Sequence, residues 1–303
     1  MISLLSRTLL MSTPLLLGAI AEVFAERAGV MNTAIEGVFL IGAMGGFVGA
    51  YLSGNLAIGL LLAILAGTAV AAFYGWITVY LKQHQIVTGT AISILAAGLC
   101  SYFMRVFFGT PIIPLTVEPL KAIQLPVLSR LPVLGPIFFS QNILTYLMYA
   151  IVPLAWFVLY RTSLGLTIRS AGENPEAVDV AGIKVDRIRF AVVLLSGAMG
   201  GIAGAFYSIG YLGMFTTNII GGRGWIAFAI CFLGNWNPLG VLAGTLVFGL
   251  AEAIAIYMQS SGSMLFPNEF FIALPYILTI VLTISRRSFN VPAKLGIPYK
   301  KEN

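Results

Sequence analysis

The stretch GVFLIGAMGGFVGAYLSGNLAIGLLLAILAGTAVAAFYGWITVYL, residues 37–81, lies between Glu36 and Lys82 and holds no charged side chain. A helix needs about 20 apolar residues to cross the hydrocarbon core of a bilayer, so this run is long enough for two crossings. Ser53-Gly54-Asn55 is the turn signal that divides them. The rest of the chain extends the pattern. Charge-poor apolar runs at 8–25, 86–108, 141–160, 190–211 and 270–286 predict further spans. Residues 224–258 contain the breaker Asn235-Trp236-Asn237-Pro238-Leu239-Gly240 and read as a short first piece, a turn, and a helix at 239–258. The expectation is an all-α, polytopic transmembrane bundle of about eight to ten spans, with 1–303 as one membrane domain.

Composition agrees. Of 303 residues, 59% are hydrophobic and 9% charged, and mean hydropathy is +0.96. Soluble domains carry roughly a quarter charged residues, so 28 charged side chains could not cover a soluble fold of this size. Lipid is therefore the expected solvent for most of the surface. The net charge of +6 is no nucleic-acid footprint, because excess Lys and Arg in a membrane protein mark cytoplasmic loops. The N-terminal apolar stretch has no small-residue cleavage site before Glu22 and Glu26 and reads as retained.

Nine of the 28 charges fall in 161–189, with Arg161, Arg187 and Arg189 beside the flanking spans. This loop is expected to be cytoplasmic, as is the basic tail, 287–303. Both can lie on one side only if 224–258 crosses twice or an extra crossing occurs elsewhere. Counting backwards puts Lys82 inside and both 110–140 and the N-terminus outside. The 110–140 segment carries Pro111, Pro114, Pro119, Pro126, Pro132 and Pro136. That density opposes a regular helix and predicts an ordered external loop. Gly42-Ala43-Met44-Gly45-Gly46 recurs at 197–201, and Leu65-Ala66-Gly67-Thr68 at 242–245. Either an internal duplication or the shared need of closely packed membrane helices for small residues accounts for this.

Catalytic signatures are missing. There is no GxxxxGK[ST] loop and no HExxH. The one histidine, His84, follows Lys82 at a span end, and Cys100 and Cys231 sit alone in apolar runs. The chain is expected to move or anchor something, with no metal and no cofactor of its own.

Four features could carry that role. In the central loop, Asn174 is a good N-cap and Pro175 suits the first helical position. Glu176 and Asp179, with Glu173 just before them, favour the positive end of a helix, and Gly182 can stop it. So 174–182 reads as a short capped helix, either a plain connector or a rigid handle for a cytoplasmic partner. Second are the acids in or near the membrane: Glu22, Glu26, Glu36 and Glu252. Asn32 lies four residues before Glu36, so the two could share a helix face suited to an uncharged, hydrogen-bonding solute; alternatively Glu36 caps a helix start. Glu252 could bond Tyr257 or a neighbouring helix. Third, Arg223 stands between glycines in Gly221-Gly222-Arg223-Gly224-Trp225, where it can reach a carbonyl, an acid or a ligand. Fourth, Trp225 is either an interfacial anchor or a stacking surface.

These residues resemble a known family. Leu166–Gly182 (LTIRSAGENPEAVDVAG), followed by Ile183-Lys184-Val185-Asp186-Arg187, resembles the coupling loop of permeases in the branched-chain amino acid, ribose and nucleoside group of ABC importers. Glu26–Gly42 (ERAGVMNTAIEGVFLIG) resembles the signature of the nucleoside branch. Leu125–Phe139 (LPVLSRLPVLGPIFF), GRGWIA at 222–227 and LGIPY at 295–299 are similar to the second of two paired permeases there. Ser93 departs from the pattern, which favours Asn. The resemblance implies a non-enzymatic subunit in the bacterial plasma membrane, surrounded by lipid, beside a companion permease. It further implies separate ATPase subunits docked on the 174–182 helix and an external binding lipoprotein that delivers a nucleoside. The solute would pass near Asn32, Glu36, Ser93, Arg223, Trp225 and Glu252. The same architecture with a sugar or branched-chain amino acid as cargo, a proton-coupled carrier using Glu22, Glu36 and Glu252, and a non-transporting scaffold are the competing readings.

Overall fold

A computed structural model describes residues 1–110, 113–260, 268–285 and 289–300. It is mostly helical. In chain order the elements are α1 (Ile2–Arg27), α2 (Ile35–Ser53), α3 (Leu56–Gly75, continued by a π-helical turn, Trp76–Tyr80) and α4 (Gln85–Phe108). There follow a short α5 (Leu134–Phe138), α6 (Ile143–Arg161), α7 (Ser163–Glu173), α8 (Pro175–Val180) and α9 (Val185–Ala205, continued by Phe206–Leu212). The last three are α10 (Arg223–Leu233), α11 (Pro238–Ser260) and α12 (Asn268–Ser285).

Local chemistry sets these ends. Gly54 closes α2 at φ +65°, and the Asn55 carboxamide oxygen accepts the Ala57 N–H at 2.8 Å to open α3. The Asn235–Gly240 breaker forms as expected. Asn235 and Trp236 take left-handed backbone, Asn237 accepts the Leu239 N–H at 2.9 Å, and Pro238 begins α11 where no N–H is needed.

Contacts between chain ends define two faces. Lys82 pairs with Asp186 at 2.5 Å, the Arg27 Nε donates to the Trp236 carbonyl at 3.0 Å, and the Lys294 N–H donates to the Gly172 carbonyl at 2.8 Å. The ends of α1, α3 and α10, the α6–α9 loop and the tail therefore share one face, the loop face. On the far face, Gln141 bonds Ser6 at 2.9 Å and the Val117 N–H bonds the Gly213 carbonyl at 2.7 Å. Among the described residues seven helices are long and apolar enough to cross a membrane, and α12 adds an 18-residue helix. α10 has 11 residues, about 16 Å, half the thickness of a hydrocarbon core. It runs from mid-depth to the loop face, and 213–222 completes that crossing as irregular chain. With α12 and the broken 213–233 segment counted, the described residues pass between the two faces nine times, within the expected range, and 213–260 passes twice.

α1 is the hub. Thr8–Glu26 is buried almost without interruption, against α6, α9, α10 and α11. α3 and α4 lie at the periphery and expose Leu61, Leu65, Ile94 and Tyr102. The two Gly-Ala-Met-Gly-Gly segments pack on each other. A Cβ at Gly42 would come within 2.6 Å of the Gly201 backbone, and one at Gly67 within 2.5 Å of the Gly197 carbonyl. Close helix approach is thus sufficient reason for that repeat.

Two expectations are corrected. The 161–189 loop holds two helices rather than one. Thr162 caps α7 by accepting the Gly165 N–H at 3.1 Å, before Asn174 caps α8. In 110–140 a small antiparallel pair, Ile123–Gln124 with Ser140–Gln141, and the one-turn helix α5 both form. Pro136 is tolerated because it falls in the first turn, where its missing N–H has no intrahelical partner. Pro111, Arg286, Arg287 and Lys301 lie outside the described residues.

Candidate functional site

The site is built on the N-terminus of the half-helix α10. Such an end carries unpaired N–H groups and roughly half a positive charge. Glu36, in the first turn of α2, meets it with both oxygens: Oε1 accepts the Gly222 N–H and Oε2 the Gly224 N–H, each at 2.8 Å. Gly224 has no room for a side chain there, since a Cβ would lie 2.6 Å from the Glu36 Cα. Glu36 therefore caps a helix, but not its own.

Arg223, the first residue of α10, reaches across to Glu252 on α11. Its Nε and one terminal nitrogen lie 2.7 and 2.6 Å from Oε1, and its other terminal nitrogen donates to the Ile220 carbonyl at 3.0 Å. The guanidinium also lies over the Tyr207 ring, 5.2 Å from its centre. From α12 the Tyr276 hydroxyl donates to the Gly221 carbonyl at 2.6 Å. Beside these groups opens a cavity of about 310 Å³, whose polar walls are Asn218, Gly221, Arg223, Glu252, Gln259 and Tyr276. That is at the small end of the range for small-molecule sites. Each formal charge in this wall has its opposite in contact, so the cavity offers hydrogen bonds without net charge.

The structure brings Glu36, Arg223 and Glu252 together at the start of α10, with Arg223 and Glu252 in the cavity wall and Glu36 outside it. Ser93 is a neighbour: its Oγ accepts the Gly37 N–H at 3.3 Å, one residue from Glu36, but it is not in the cavity wall. Trp225 stands outside the wall, edge-on to Phe228. The shared face expected for Asn32 and Glu36 does not exist. α2 begins only at Ile35, so Asn32 lies in the non-helical link and turns elsewhere. It donates to Glu22 Oε1 at 3.2 Å and to the Ser196 hydroxyl at 2.8 Å, in a second buried cluster with Glu26 and Trp236. Sequence reasoning also missed Tyr276, Tyr207, Asn218 and Gln259. Tyr and Gln are ordinary on apolar helices, and nothing in their spacing singles them out.

On the loop face, the Asn174 oxygen accepts the Ala177 N–H at 3.1 Å, Pro175 is the first helical residue, and Gly182 ends the turn at φ +81°. Pro175 and Val178 face inward, while Glu173, Glu176 and Gly182 are exposed, Asp179 is half-buried and Val180 is 89% exposed. The tail braces this unit. Glu173 accepts the Ala293 N–H at 3.2 Å, and Glu176 lies 3.7 Å from Lys294. Buried Arg189 donates to the carbonyls of Ala28, Ala171 and Ile297 at 2.9, 3.2 and 2.8 Å, joining α1, α7 and the tail. No short motif announces that role for Arg189.

Comparison with known proteins places this geometry. The model of the family described as "Branched-chain amino acid transport system / permease component" matches residues 4–283. The nucleoside ABC transporter permease protein NupC of Lactococcus lactis is 36% identical over 98% of this chain and 96% of its own. The guanosine ABC transporter permease protein NupQ of Bacillus subtilis is 36% identical over 97% and 95%. A Haloferax volcanii protein named "Putative glucose ABC transporter permease protein" is 36% identical over 88% and 80%. A solved structure titled "An inward-facing conformation of a putative metal-chelate type ABC transporter" superposes with a TM-score of 0.53 at 18% identity, over 93% of this chain and 85% of that one, a likeness of fold.

Proposed function

Because the chain belongs to the permease-component family of the branched-chain amino acid transport system, we propose that it forms, with a companion permease, the pathway by which an ATP-driven importer takes up nucleosides. The observation that carries the cargo is the charge-matched cavity. In the wall Arg223 is matched by Glu252, and beside it the α10 N-terminus is held by Glu36, so the wall suits a neutral solute rich in hydrogen-bonding groups. An amino acid would need a free countercharge at each end. The names of the two nucleoside-related permeases support the same reading. A sugar is also neutral, and the glucose-named relative keeps that second cargo open.

The loop face is cytoplasmic in this reading, since Arg161, Arg169 and Arg187 gather there. α8 then presents Glu176 and the exposed Val180 to a separate ATPase subunit, which hydrolyses ATP and drives the loop face. An external lipoprotein delivers solute at the far face. Both native cysteines are buried, so a single Val180→Cys would report sidedness. Labelling of that thiol by an impermeant maleimide only after the membrane is opened is the expected result; labelling of intact cells would reverse the orientation.

Uptake into proteoliposomes holding both permeases, the ATPase and the binding protein tests the whole. ATP-dependent guanosine or uridine uptake, competed by other nucleosides but not by glucose or leucine, is expected. Uptake driven by a proton gradient without the ATPase would sink the proposal. Glu176→Arg should abolish co-purification of the ATPase while leaving membrane insertion intact; unchanged co-purification would remove α8 as the docking element.

A further inference from the structure

The second polar cluster has no part in the cavity, and its chemistry is unlike the cavity's. It lies where α1, the 28–34 link, α9 and the α10–α11 turn meet, and Glu22, Glu26, Asn32, Ser196 and Trp236 are all fully buried. Glu22 and Glu26 are four apart on α1 and so face the same way.

The donors of this cluster are committed. The Asn32 amide nitrogen donates to Glu22 Oε1 and to Ser196, the Ser196 hydroxyl donates its one hydrogen to Glu22 Oε1 at 3.0 Å, and the Trp236 indole donates to Glu26 Oε2. Three acceptors are left without a partner: Glu22 Oε2, Glu26 Oε1 and Asn32 Oδ1. Among the described residues no cation answers them. Arg27 turns to the carbonyls of Trp236 and Asn235, and Arg189 to three other carbonyls. The other titratable neighbours among the described residues are neutral groups: the Cys231 thiol, which bonds Glu26, and Tyr74, whose hydroxyl donates to the Met31 carbonyl.

Two buried carboxylates without a counterion each cost several kcal/mol, so something positive belongs with them. The unpaired atoms are hard oxygens, the ligands of alkali and alkaline-earth ions. Among the described residues no group of three His, Cys, Asp or Glu gathers as a metal-binding set, which speaks against a transition metal. Like charges side by side in a buried site do not both ionise, so one of the two acids keeps its proton and the one charge left is answered by a monovalent ion.

We propose that Glu22, Glu26 and Asn32 form a binding site for a monovalent cation of the sodium class, which ties α1 and the 28–34 link to α9 and the α10–α11 turn. The site stands apart from the nucleoside reading and holds whatever the cargo.

Thermal unfolding of the purified permease pair tests it, in sodium chloride against choline chloride at equal ionic strength. Sodium should raise Tm saturably, by about 5 °C at a large excess over its Kd. Glu22→Gln should lose that shift and Glu252→Gln, in the other site, should keep it. Equilibrium binding of radioactive sodium to the unaltered pair provides a readout that does not depend on any variant folding; about one ion per chain is expected. Equal melting in sodium and choline with no bound sodium would overturn the proposal and assign the acids to protonation or buried water. A shift produced by calcium and not by sodium would overturn it equally.

Discussion

Two pairs of acids lie near opposite ends of α10, and the protein treats them differently. Toward its N-terminus, Glu36 fills both oxygens with backbone N–H groups and Glu252 meets a guanidinium. Past its C-terminus, Glu22 and Glu26 each keep one oxygen unpartnered, and among the described residues no basic side chain bonds them. The difference lies in the elements that supply the partners. The upper pair faces a helix N-terminus and an arginine on that helix, so its charge is balanced from within the fold. The lower pair faces a serine, an asparagine and an indole, which supply hydrogen bonds but no charge. A wall balanced from within can accept and release a neutral solute without changing its own charge. A cluster that is not balanced needs an ion from outside and answers to the medium.

Removing the balance from the upper pair should have the largest effect. Arg223→Ala strands Glu252 beside the cavity. A stability loss of roughly 2 kcal/mol is expected, between the values for exposed and buried pairs, with uptake reduced at least about tenfold. Chemical unfolding and proteoliposome uptake measure the two. Arg223→Met with Glu252→Leu should restore stability and not uptake, because an apolar pair repacks without offering hydrogen bonds. Recovery of uptake in the double variant would show that the charges are scaffold alone. Glu36→Gln comes next, at about 1–2 kcal/mol. Its amide can accept one of the two N–H groups but turns a donor toward the other. Equal melting of this variant and the unaltered chain would break the claim that Glu36 holds the α10 end.

The sequence displays one half of this comparison better than the other. Charge-free runs marked the spans because lipid forbids stray charge, and Asn174-Pro175 marked α8 because capping is local chemistry. The Gly221–Trp225 run exposed Arg223 as an arginine without a local partner, and Glu252 as an acid in an apolar helix. Their meeting was not legible, since α10 and α11 bring them together across 29 positions. Asn32 misled for a related reason. Four-residue spacing means a shared face only inside a helix, and the link up to Ala34 is held outside one by Tyr74 and Gln85, which bond the Met31 carbonyl and N–H. Arg189 was invisible because its partners are backbone carbonyls, which no side-chain motif records.

The smallest effect is expected where the sign matters most. In sodium-free buffer, Glu22→Gln removes a carboxylate that nothing in the fold neutralises and adds an amide N–H beside the unpartnered Asn32 Oδ1 and Glu26 Oε1. The lost hydrogen-bonding strength at Oε1 and the relieved burial of charge oppose each other. The net change should fall within about 0.5 kcal/mol of zero, or be stabilising. Glu252→Gln in the same buffer leaves Arg223 without its counterion and should cost about 1–2 kcal/mol. Chemical unfolding in choline chloride measures both. If Glu22→Gln costs as much as Glu252→Gln, the lower acids are balanced from within after all, and the contrast between the two clusters fails. If it costs nothing in choline and becomes destabilising relative to the unaltered chain only when sodium is added, then the ion supplies what the fold leaves out.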